Sequence, residues 1–502
     1  MAQMKTPGVY IVEKNAFPNS VVEVATAIPA FIGHTEFARD GNKDLTGIPF
    51  RISSMAEFHS YFGFAPTLQF GIRTGEPEEG EDANDVNVLF PGGSCRLTMP
   101  KTFYSLYYNM LLFYSNGGGP CYIVSVGDYK KDFDTTTFTN ALLELKKEQE
   151  PTLIVTPEAV FMKEAECFNI QTAALMHCGN DMKNRFAILD VFNGFKDANG
   201  AVVKNFREKI GSNFLAFCAS YYPWLNTSIV TEKDMTFHNI EEDSQEAMQE
   251  LIMTQFKTKP GVSPEAIAEL SDKFKALPTL KEDEAERFHT LLYQASPVYH
   301  SILREMRQRV NLLPPSGSMA GIYTMVDNTR GVWKAPANVS VNNIVSPAFP
   351  ITNADQEDLN VPMNGKSINA IRSFPGDGIK VWGARTMDGN SLDWRYINVR
   401  RTMIFLEESI KNAARAYVFE PNVATTWVNM RSMIDGFLRG VWKRGGLAGA
   451  SPEDAYSIHI GLGDTMTPED ILEGILRITV LVAITRPAEF IEITFQQQMQ
   501  KS

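Results

Sequence analysis

Few of the side chains that could carry chemistry stand at the spacing that a catalytic or metal site requires. The seven histidines are scattered and the five cysteines include no CxxC pair, so the ligand spacings typical of zinc sites are missing from the sequence. His177 and Cys178 are adjacent, and such a pair can supply a base and a nucleophile. We interpret it as two packed core side chains, and we expect no catalytic residue, no metal and no cofactor.

The glycine-rich segments lack the context of a nucleotide site. Asn116–Gly119 ends a predicted helix, whereas the glycines of a dinucleotide loop follow a strand and open a helix. Gly445-Gly446 and Gly461-Leu-Gly463 have no Lys-Ser/Thr partner, which a P-loop requires. There is no GxSxG motif either. The aromatic residues from Trp427 to Trp442 recur at helical spacing, which is typical of a packed core.

Composition and charge limit the possible partners. The chain has 502 residues, 44% of them hydrophobic, and its 59 acidic and 47 basic side chains give a net charge of −12. The length predicts two to four domains. An acidic balance argues against nucleic-acid binding, which usually needs a basic excess. The stretch Ile475–Thr485 is too short to span a bilayer and contains Arg477. We see no secretory signal, and we expect assembly in the bacterial cytoplasm without membrane insertion.

The elements that would position any site follow an alternating pattern in the first half of the chain. Apolar runs alternate with helix-like segments such as Thr102–Tyr114 and Thr137–Lys147, and this alternation predicts a mostly parallel α/β sheet. The predicted buried strands are Ile28–Gly33, Cys121–Val126, Leu153–Thr156, Phe186–Val191 and Phe214–Ser220.

The second half has a different character. Glu241–Arg309 is charged and helix-like with proline breaks, which indicates an insertion that decorates the sheet. Gly378–Trp382 is a predicted short strand. The spacing of apolar residues predicts helices over Arg401–Val418 and Thr425–Arg444, and Thr467-Pro468-Glu469-Asp470 has the signature of a helix start. Earlier in the chain, the acidic segment Glu76–Asp85 is predicted to be an exposed loop.

The chain begins and ends with predicted lone strands. Val9–Val12, Val21–Val24 and Glu489–Gln497 are rich in β-branched and aromatic residues. A strand with unpaired backbone groups can pair with another chain, although terminal strands can also pair within their own domain. The predicted inter-subunit residues are Val9, Tyr10, Ile11, Val12, Val21, Val22, Phe490, Ile491, Ile493 and Phe495.

A series of short motifs, in order along nearly the whole chain, resembles the tail sheath family of contractile phages, bacteriocins and extracellular contractile injection systems. The resemblance is loose between residues 36 and 311, apart from Asn116–Gly119. The motifs are Thr6–Glu13, Ala27–Gly33, Phe113–Gly119, Cys121–Val124, Ala320–Tyr323, Gly331–Asn338, Val381–Thr386, Tyr396–Arg401, Val418–Asn422 and Arg486–Ile491.

The resemblance implies a structural, non-enzymatic subunit. It implies a six-start helical sheath of identical copies around an inner tube protein, with a baseplate and a tail terminator or cap as further partners. Such a sheath assembles extended and then contracts to drive the tube through a target envelope. The fold implied is α/β, α+β overall. Its central domain would be similar to subtilisin without the catalytic machinery.

The expected domains follow from the same resemblance. They are an N-terminal linking arm (1–24), an α/β sheath domain (25–393) with variable insertions at about 36–311, a C-terminal tube-proximal domain (394–486) and a C-terminal linking arm (487–502).

Two charged sets are candidates for contact with the tube. One is the acidic helix start with Glu469, Asp470 and Glu473; the other is the basic face with Arg431, Arg439, Lys443 and Arg444. Exposed charges give modest contacts that water can replace, which suits a grip that must be released. A plain solvated face is the alternative for both sets.

Two other functions stay open at this point. One is an enzyme similar to α/β hydrolases with unusual catalytic residues. The other is a different tail component, such as a terminator or a non-contractile filament. The two terminal arms, together with the motifs between them, favour the sheath.

Overall fold

The computed structural model describes residues 21–74, 85–196, 200–276 and 281–493. The chain forms two compact units. The large unit comprises residues 27–329 and 335–397, and the small unit comprises, among the described residues, 21–26, 330–334 and 398–493. A five-residue stretch from the middle of the sequence is therefore part of the small unit.

The elements up to residue 382 are, in chain order, β1 (Pro29–Thr35), β2 (Arg39–Asp40), β3 (Lys43–Asp44), β4 (Phe50–Ile52), α1 (Met55–Phe62), β5 (Gly71–Arg73), β6 (Val86–Phe90), β7 (Gly93–Thr98), α2 (Leu106–Ser115), β8 (Cys121–Asp128), α3 (Thr135–Leu145), β9 (Leu153–Val155), α4 (Glu164–Met176), β10 (Phe186–Asp190), α5 (Ala201–Lys209), β11 (Cys218–Tyr222), β12 (Leu225–Thr227), α6 (Glu242–Thr258), α7 (Pro264–Ala276), α8 (Glu282–Ala295), α9 (Pro297–Val310), β13 (Leu312–Leu313), α10 (Ser316–Arg330), β14 (Ile344–Pro347), α11 (Asn353–Asn360), β15 (Asn369–Phe374) and β16 (Gly378–Trp382).

An eight-stranded sheet forms the centre of the large unit. Its strand order is β16-β15-β11-β10-β9-β1-β8-β4. The six strands from β15 to β8 are parallel to their neighbours, and β16 and β4 close the two edges in antiparallel pairs. The predicted mostly parallel α/β sheet is confirmed.

Helices cover both faces of this sheet, because side chains along each central strand alternate between two cores. Ile32 of β1 packs with α3, α4 and α5 in one core. Phe31, the residue before it, packs with α1, α2 and α10 in the other. The expected likeness to subtilisin stays a prediction.

The predicted helical character of Glu241–Arg309 is also confirmed. The helices α6 to α9 share a third core with the small antiparallel sheet β5-β7-β6. A second three-stranded sheet has the order β13-β12-β14.

The small unit contains α12 (Ile397–Ala414, from Asn398 onward), α13 (Ala424–Lys443), α14 (Pro452–Ala455), β17 (Tyr456–His459), α15 (Pro468–Leu472) and β18 (Thr479–Val482). Its core joins α12 and α13 to the two strands. The periodicity of α13 is confirmed, because Met430, Ile434, Phe437, Leu438 and Val441 are buried. Gly445 ends this helix with φ +86°, which glycine adopts without strain.

Several predicted elements are corrected by the structure. Val21–Val24 has no regular secondary structure, and neither does the described part of Glu489–Gln497, residues 489–493. β11 begins at Cys218 and not at Phe214, since Leu215–Phe217 form a 3₁₀ turn. The helix α10 was missed, because Ser316–Arg330 is rich in Gly and Ser and its apolar residues are buried on several sides.

Some predicted features lie outside the described residues. These are the strand Val9–Val12, most of the acidic loop Glu76–Asp85 and Phe495. Over the ranges that the structure describes, no helix combines the length and the apolar character needed to cross a bilayer.

Candidate assembly surfaces

The His177–Cys178 pair lies in the core of the large unit. Arg185 donates to His177 Nε2 over 2.7 Å and also to the Glu148 carbonyl. Burial, and then the Arg185 charge, lower the pKa of His177 to about 3. Burial raises the pKa of the Cys178 thiol to about 12. The raised pKa of the thiol and the lowered pKa of the imidazole both disfavour a thiolate–imidazolium pair at this position.

A buried carboxylate that the sequence did not indicate joins three segments of the large unit. Glu158 is fully buried, and its Oε2 accepts from His34 Nδ1 at 2.8 Å and from the His34 backbone N–H at 2.9 Å. Its Oε1 accepts from the Leu106 N–H at 3.2 Å, at the start of α2. No group of three or more potential ligand side chains could hold a metal ion within the described ranges. Glu158 therefore connects the carboxyl end of β1 to the start of α2.

Residues 21–26 are anchored to the small unit by contacts other than strand pairing. Val21 is buried in the core of this unit, whereas Val22 is 73% exposed. The Val24 N–H donates to Ser409 Oγ at 3.2 Å, and Arg401 donates to the Thr26 carbonyl at 2.9 Å. The segment that precedes residue 27 is thus fixed at its base.

The stretch 330–334 belongs to the same unit. Val332 is buried beside α13, and the ring of Trp333 packs on Gly446, where a Cβ would lie 2.9 Å from it. Asn398 donates to the Trp333 carbonyl at 2.9 Å. The motif Gly331–Asn338, noted in the sequence for its resemblance alone, therefore supplies two side chains to the small unit's core.

The two-stranded sheet β17-β18 leaves both of its edges open within the described structure. Ser457 pairs with Leu481 and Ile458 with Val480, and the Ala483 N–H donates to the Ala455 carbonyl at 2.8 Å. Antiparallel pairing alternates along a strand, so the N–H groups of Val480 and Val482 face the outer edge of β18. Such an edge is a template for a further strand.

The C-terminal apolar residues are exposed. The exposed fractions of Phe490, Ile491 and Ile493 are 75%, 78% and 68%. These three large apolar side chains lie within four residues and form an exposed apolar patch, a kind of surface that partner molecules often bind.

Of the three residues in the acidic set, Asp470 is paired within the chain and Glu469 and Glu473 are exposed. Thr467 and Asp470 form a capping box at the start of α15, and Arg477 contacts Asp470 at 3.0 Å. These contacts lower the pKa of Asp470, with the hydrogen bond from Arg477 as the largest cause. Glu469 and Glu473 are exposed. The pair that faces solvent is therefore Glu469 and Glu473.

The basic set follows the spacing of α13. Arg431, Arg439 and Lys443 are exposed and share one stripe with Asp435, which pairs with Arg439 at 3.4 Å. Arg444 lies apart from this stripe, since it forms an ion pair with Glu23 and stacks 5.2 Å from the Trp333 ring centroid.

Comparison with known proteins shows similarity to tail sheath proteins. The family described as the phage tail sheath C-terminal domain matches residues 390–498. Tail sheath proteins of Vibrio phage KVP40 and Burkholderia phage BcepMu are 24% and 28% identical over 164 and 143 residues. The segment matched to the KVP40 protein is 32% of this chain and 23% of that protein. The segment matched to the BcepMu protein is 28% of this chain and 30% of that protein.

Two solved assemblies match along the whole chain. The sheath complex of the extracellular contractile injection system PVC, in the contracted state, is 27% identical with a TM-score of 0.61, and the match covers 99% of each chain. The contracted helical sheath of the anti-feeding prophage is 26% identical with a TM-score of 0.61, and the match covers 99% of this chain and 100% of the other. The chain is therefore a homologue of contractile sheath subunits, and its residues 390–498 match the phage tail sheath C-terminal domain.

Proposed function

We propose that this chain is the structural subunit of a contractile sheath, which polymerises as a helix around an inner tube and shortens to drive the tube through a target envelope. The observation that carries the proposal is the full-length similarity to two contracted sheaths. In this proposal the subunit has no catalytic role. It is made in a bacterial cytoplasm and becomes part of a phage tail or an injection particle.

The terminal segments are the proposed links between copies. Residues Val9–Val12 of one copy and Phe490–Phe495 of another would add to the open edges of the β17-β18 sheet. Each backbone hydrogen bond contributes about 0.5–1.5 kcal/mol net, so an arm that makes several is hard to detach. The anchoring of residues 21–26 supports this role, because it fixes the base of the N-terminal arm.

Contact with the inner tube is proposed for the charged surfaces of the small unit. Glu469 and Glu473 are exposed at α15, and Arg431 and Lys443 are exposed on α13. Exposed ion pairs are weak and exchange readily with water, so such a grip can be released when the sheath widens. A baseplate and a terminator or cap would hold the two ends.

Deletion of residues Lys5–Val12 tests the proposal. We expect the wild-type chain to form long hollow cylinders in negative-stain electron microscopy. We expect the deletion variant to stay a folded monomer, with an unchanged circular dichroism spectrum. Wild-type protein that forms only monomers or small closed rings would contradict the sheath. Normal-length cylinders from the deletion variant would contradict the role of the N-terminal arm.

A further inference from the structure

An ion pair between residues far apart in sequence holds the segment that leads to the N-terminal arm. Arg444 Nη1 donates to Glu23 Oε2 at 3.1 Å, and Arg444 Nη2 donates to Glu23 Oε1, so the pair is bidentate. The two residues are 421 positions apart. Another exposed ion pair of the same unit, Lys411–Glu408, lies within a single helix. The Glu23–Arg444 pair therefore joins two segments of the chain, whereas Lys411–Glu408 stabilises one helix.

The guanidinium of Arg444 is oriented by contacts other than Glu23. Its centre lies 5.2 Å from the Trp333 ring centroid, which is a cation–π distance. Its Nε donates to the Gly440 carbonyl at 3.3 Å. Trp333 is itself fixed, because Asn398 donates to its carbonyl at 2.9 Å. A planar guanidinium that is already oriented loses little freedom when it pairs with a carboxylate. We call Glu23, Arg444 and Trp333 the latch.

The contacts on either side of Glu23 differ from the latch in kind. Val21 is buried in the core of the small unit, and the Val24 N–H donates to Ser409 Oγ at 3.2 Å. Both contacts are uncharged. The side chains of Glu23 and Arg444 are 42% and 46% exposed, and salt weakens an ion pair that faces water. Residues 21–24 thus have an exposed charged contact between two uncharged contacts.

The position of the latch matters more than its strength. An exposed ion pair adds little to the stability of a fold, but Glu23 lies where the chain leaves the small unit towards residues 1–20. A linking segment binds more readily when its base is already held in the bound orientation, because less freedom is then lost on binding. The latch is placed to control this orientation.

We propose that the latch is a salt-sensitive device that orients the N-terminal arm. When Glu23 and Arg444 are paired, the base of the arm is held in the orientation from which the arm reaches the next copy. When they separate, the base is held by its uncharged contacts alone. Arg444 is a positioning residue, since it acts through Glu23. The proposal rests on the proposed function, in which the arm joins copies, and adds a dependence of assembly on ionic strength.

The first test measures the protein concentration at which the full-length chain assembles, by light scattering and electron microscopy. The two conditions are about 0.01 M and about 1 M NaCl, between which the Debye length falls from about 30 Å to about 3 Å. At low salt we expect Arg444→Met to need about three- to tenfold more protein than the wild type, because the arm must then be ordered on binding. At high salt we expect less than about a twofold difference, because the wild-type pair is screened. The ratio of variant to wild type cancels salt effects that both chains share.

Lys411→Met is the matched control. It also removes an exposed cation of the small unit, which pairs with Glu408 at 2.7 Å, but this pair lies within α12. We expect Lys411→Met to assemble as the wild type does at both salt concentrations. Urea denaturation of the monomers checks that both variants fold, and we expect unchanged midpoints because both ion pairs are exposed.

The second test exchanges the charges and observes the arm base directly. We expect Glu23→Arg and Arg444→Glu each to weaken assembly at low salt, because each places like charges in contact. We expect the double variant to assemble at a lower concentration than either single variant. Hydrogen exchange at the Val24 amide, measured below the assembly concentration, should be faster in Arg444→Met than in the wild type at low salt.

The outcomes separate this proposal from the proposed function. Wild-type cylinders together with unimpaired assembly of Arg444→Met, or with an equal loss at both salt concentrations, would overturn the latch alone. Equal losses in Arg444→Met and Lys411→Met would also overturn it. If Arg444→Met did not fold, the charge exchange would decide, and a double variant no better than the single variants would overturn the latch. Absence of cylinders from the wild-type chain would instead contradict the sheath itself.

Discussion

The two units differ in the size of their main sheets and in how far helices cover those sheets. The large unit closes its eight-stranded sheet with antiparallel edge strands and covers both faces with helices. The small unit has a two-stranded sheet with open edges, an exposed Phe419 and an exposed apolar segment at 490–493. An isolated pair of strands is marginal in water. The main sheet of the large unit is thus buried by its own helices, whereas the described part of the small unit contains a two-stranded sheet whose edges are unpaired.

This comparison predicts that buried polar groups of the large unit govern stability. Glu158→Ala would leave the imidazole of His34 and two buried N–H groups without their acceptor. We expect the free energy of unfolding of the monomer to fall by about 3–5 kcal/mol, measured by urea denaturation.

An exposed glutamate provides the control for that change. Glu250→Ala on α6 removes a solvated carboxylate, and we expect a change within about 0.5 kcal/mol. If both variants lost equal stability, the buried contacts of Glu158 would not be the cause.

The pH dependence of stability should also originate in the large unit. The pKa of His177 is about 3 in the folded chain, below its ordinary value of about 6.5. The unfolded chain therefore binds more protons below that value, and we expect stability to fall as the pH drops from about 6.5 towards 3. His177→Gln should flatten this slope in urea titrations at several pH values; a slope that stays the same would assign it to other groups.

Asp190 should produce the opposite slope. Its carboxylate accepts from the Ser316 N–H at 2.9 Å, but burial raises its pKa to about 7. The folded chain then binds more protons than the unfolded chain between about pH 4 and 7, so this group makes stability fall as the pH rises. Asp190→Asn should remove that decline, and a variant that retains it would argue against the assignment.

The smallest effect is expected from glycine substitutions at two phenylalanines, Phe214 and Phe419, that both have a left-handed backbone. Phe214 in the large unit has φ +60° and packs on Gly179, where a Cβ would lie 2.5 Å from it. Phe419 has φ +72° and no such packing, since it is fully exposed. We expect Phe419→Gly to stabilise the monomer by about 0.5–1 kcal/mol, because glycine relieves the strain.

Phe214→Gly is the matched variant. It relieves similar strain but loses packing, and we expect it to destabilise the monomer by about 1 kcal/mol. Thermal unfolding of both variants measures the difference. Stabilisation by Phe214→Gly, or destabilisation by Phe419→Gly, would contradict the difference in packing between these two side chains.

The sequence predicted the elements whose signals are local and periodic. The apolar spacing of α13 and the buried runs of β8, β9 and β10 correspond closely to the structure. The predicted strand Val21–Val24 does not form within this chain, because β-branched residues form a strand only where a partner edge is present; its pairing with another copy stays a prediction. The side chain of Val21 lies instead in the core that α12 and α13 share with β17 and β18.

The candidate surfaces were only partly predictable. The helix signature at Thr467–Asp470 identified α15. Nothing in the sequence indicated that Asp470 would form an ion pair with Arg477. Glu158 is one glutamate in a loop, and its burial depends on segments far away in sequence. Phe419 lies in a motif that the sequence did single out, yet a left-handed backbone is rare for a bulky residue and could not be inferred from residue type.

The make-up of the small unit has a consequence for the order of synthesis. Val24 and its hydrogen-bond partner Ser409 are 385 residues apart, and Val332 joins the same core from between them. A ribosome releases the N-terminal segment long before the helices that anchor it exist. In the proposed sheath, a nascent chain therefore cannot present a fixed arm or a complete acceptor until translation is nearly finished, and polymerisation would wait until each copy is whole.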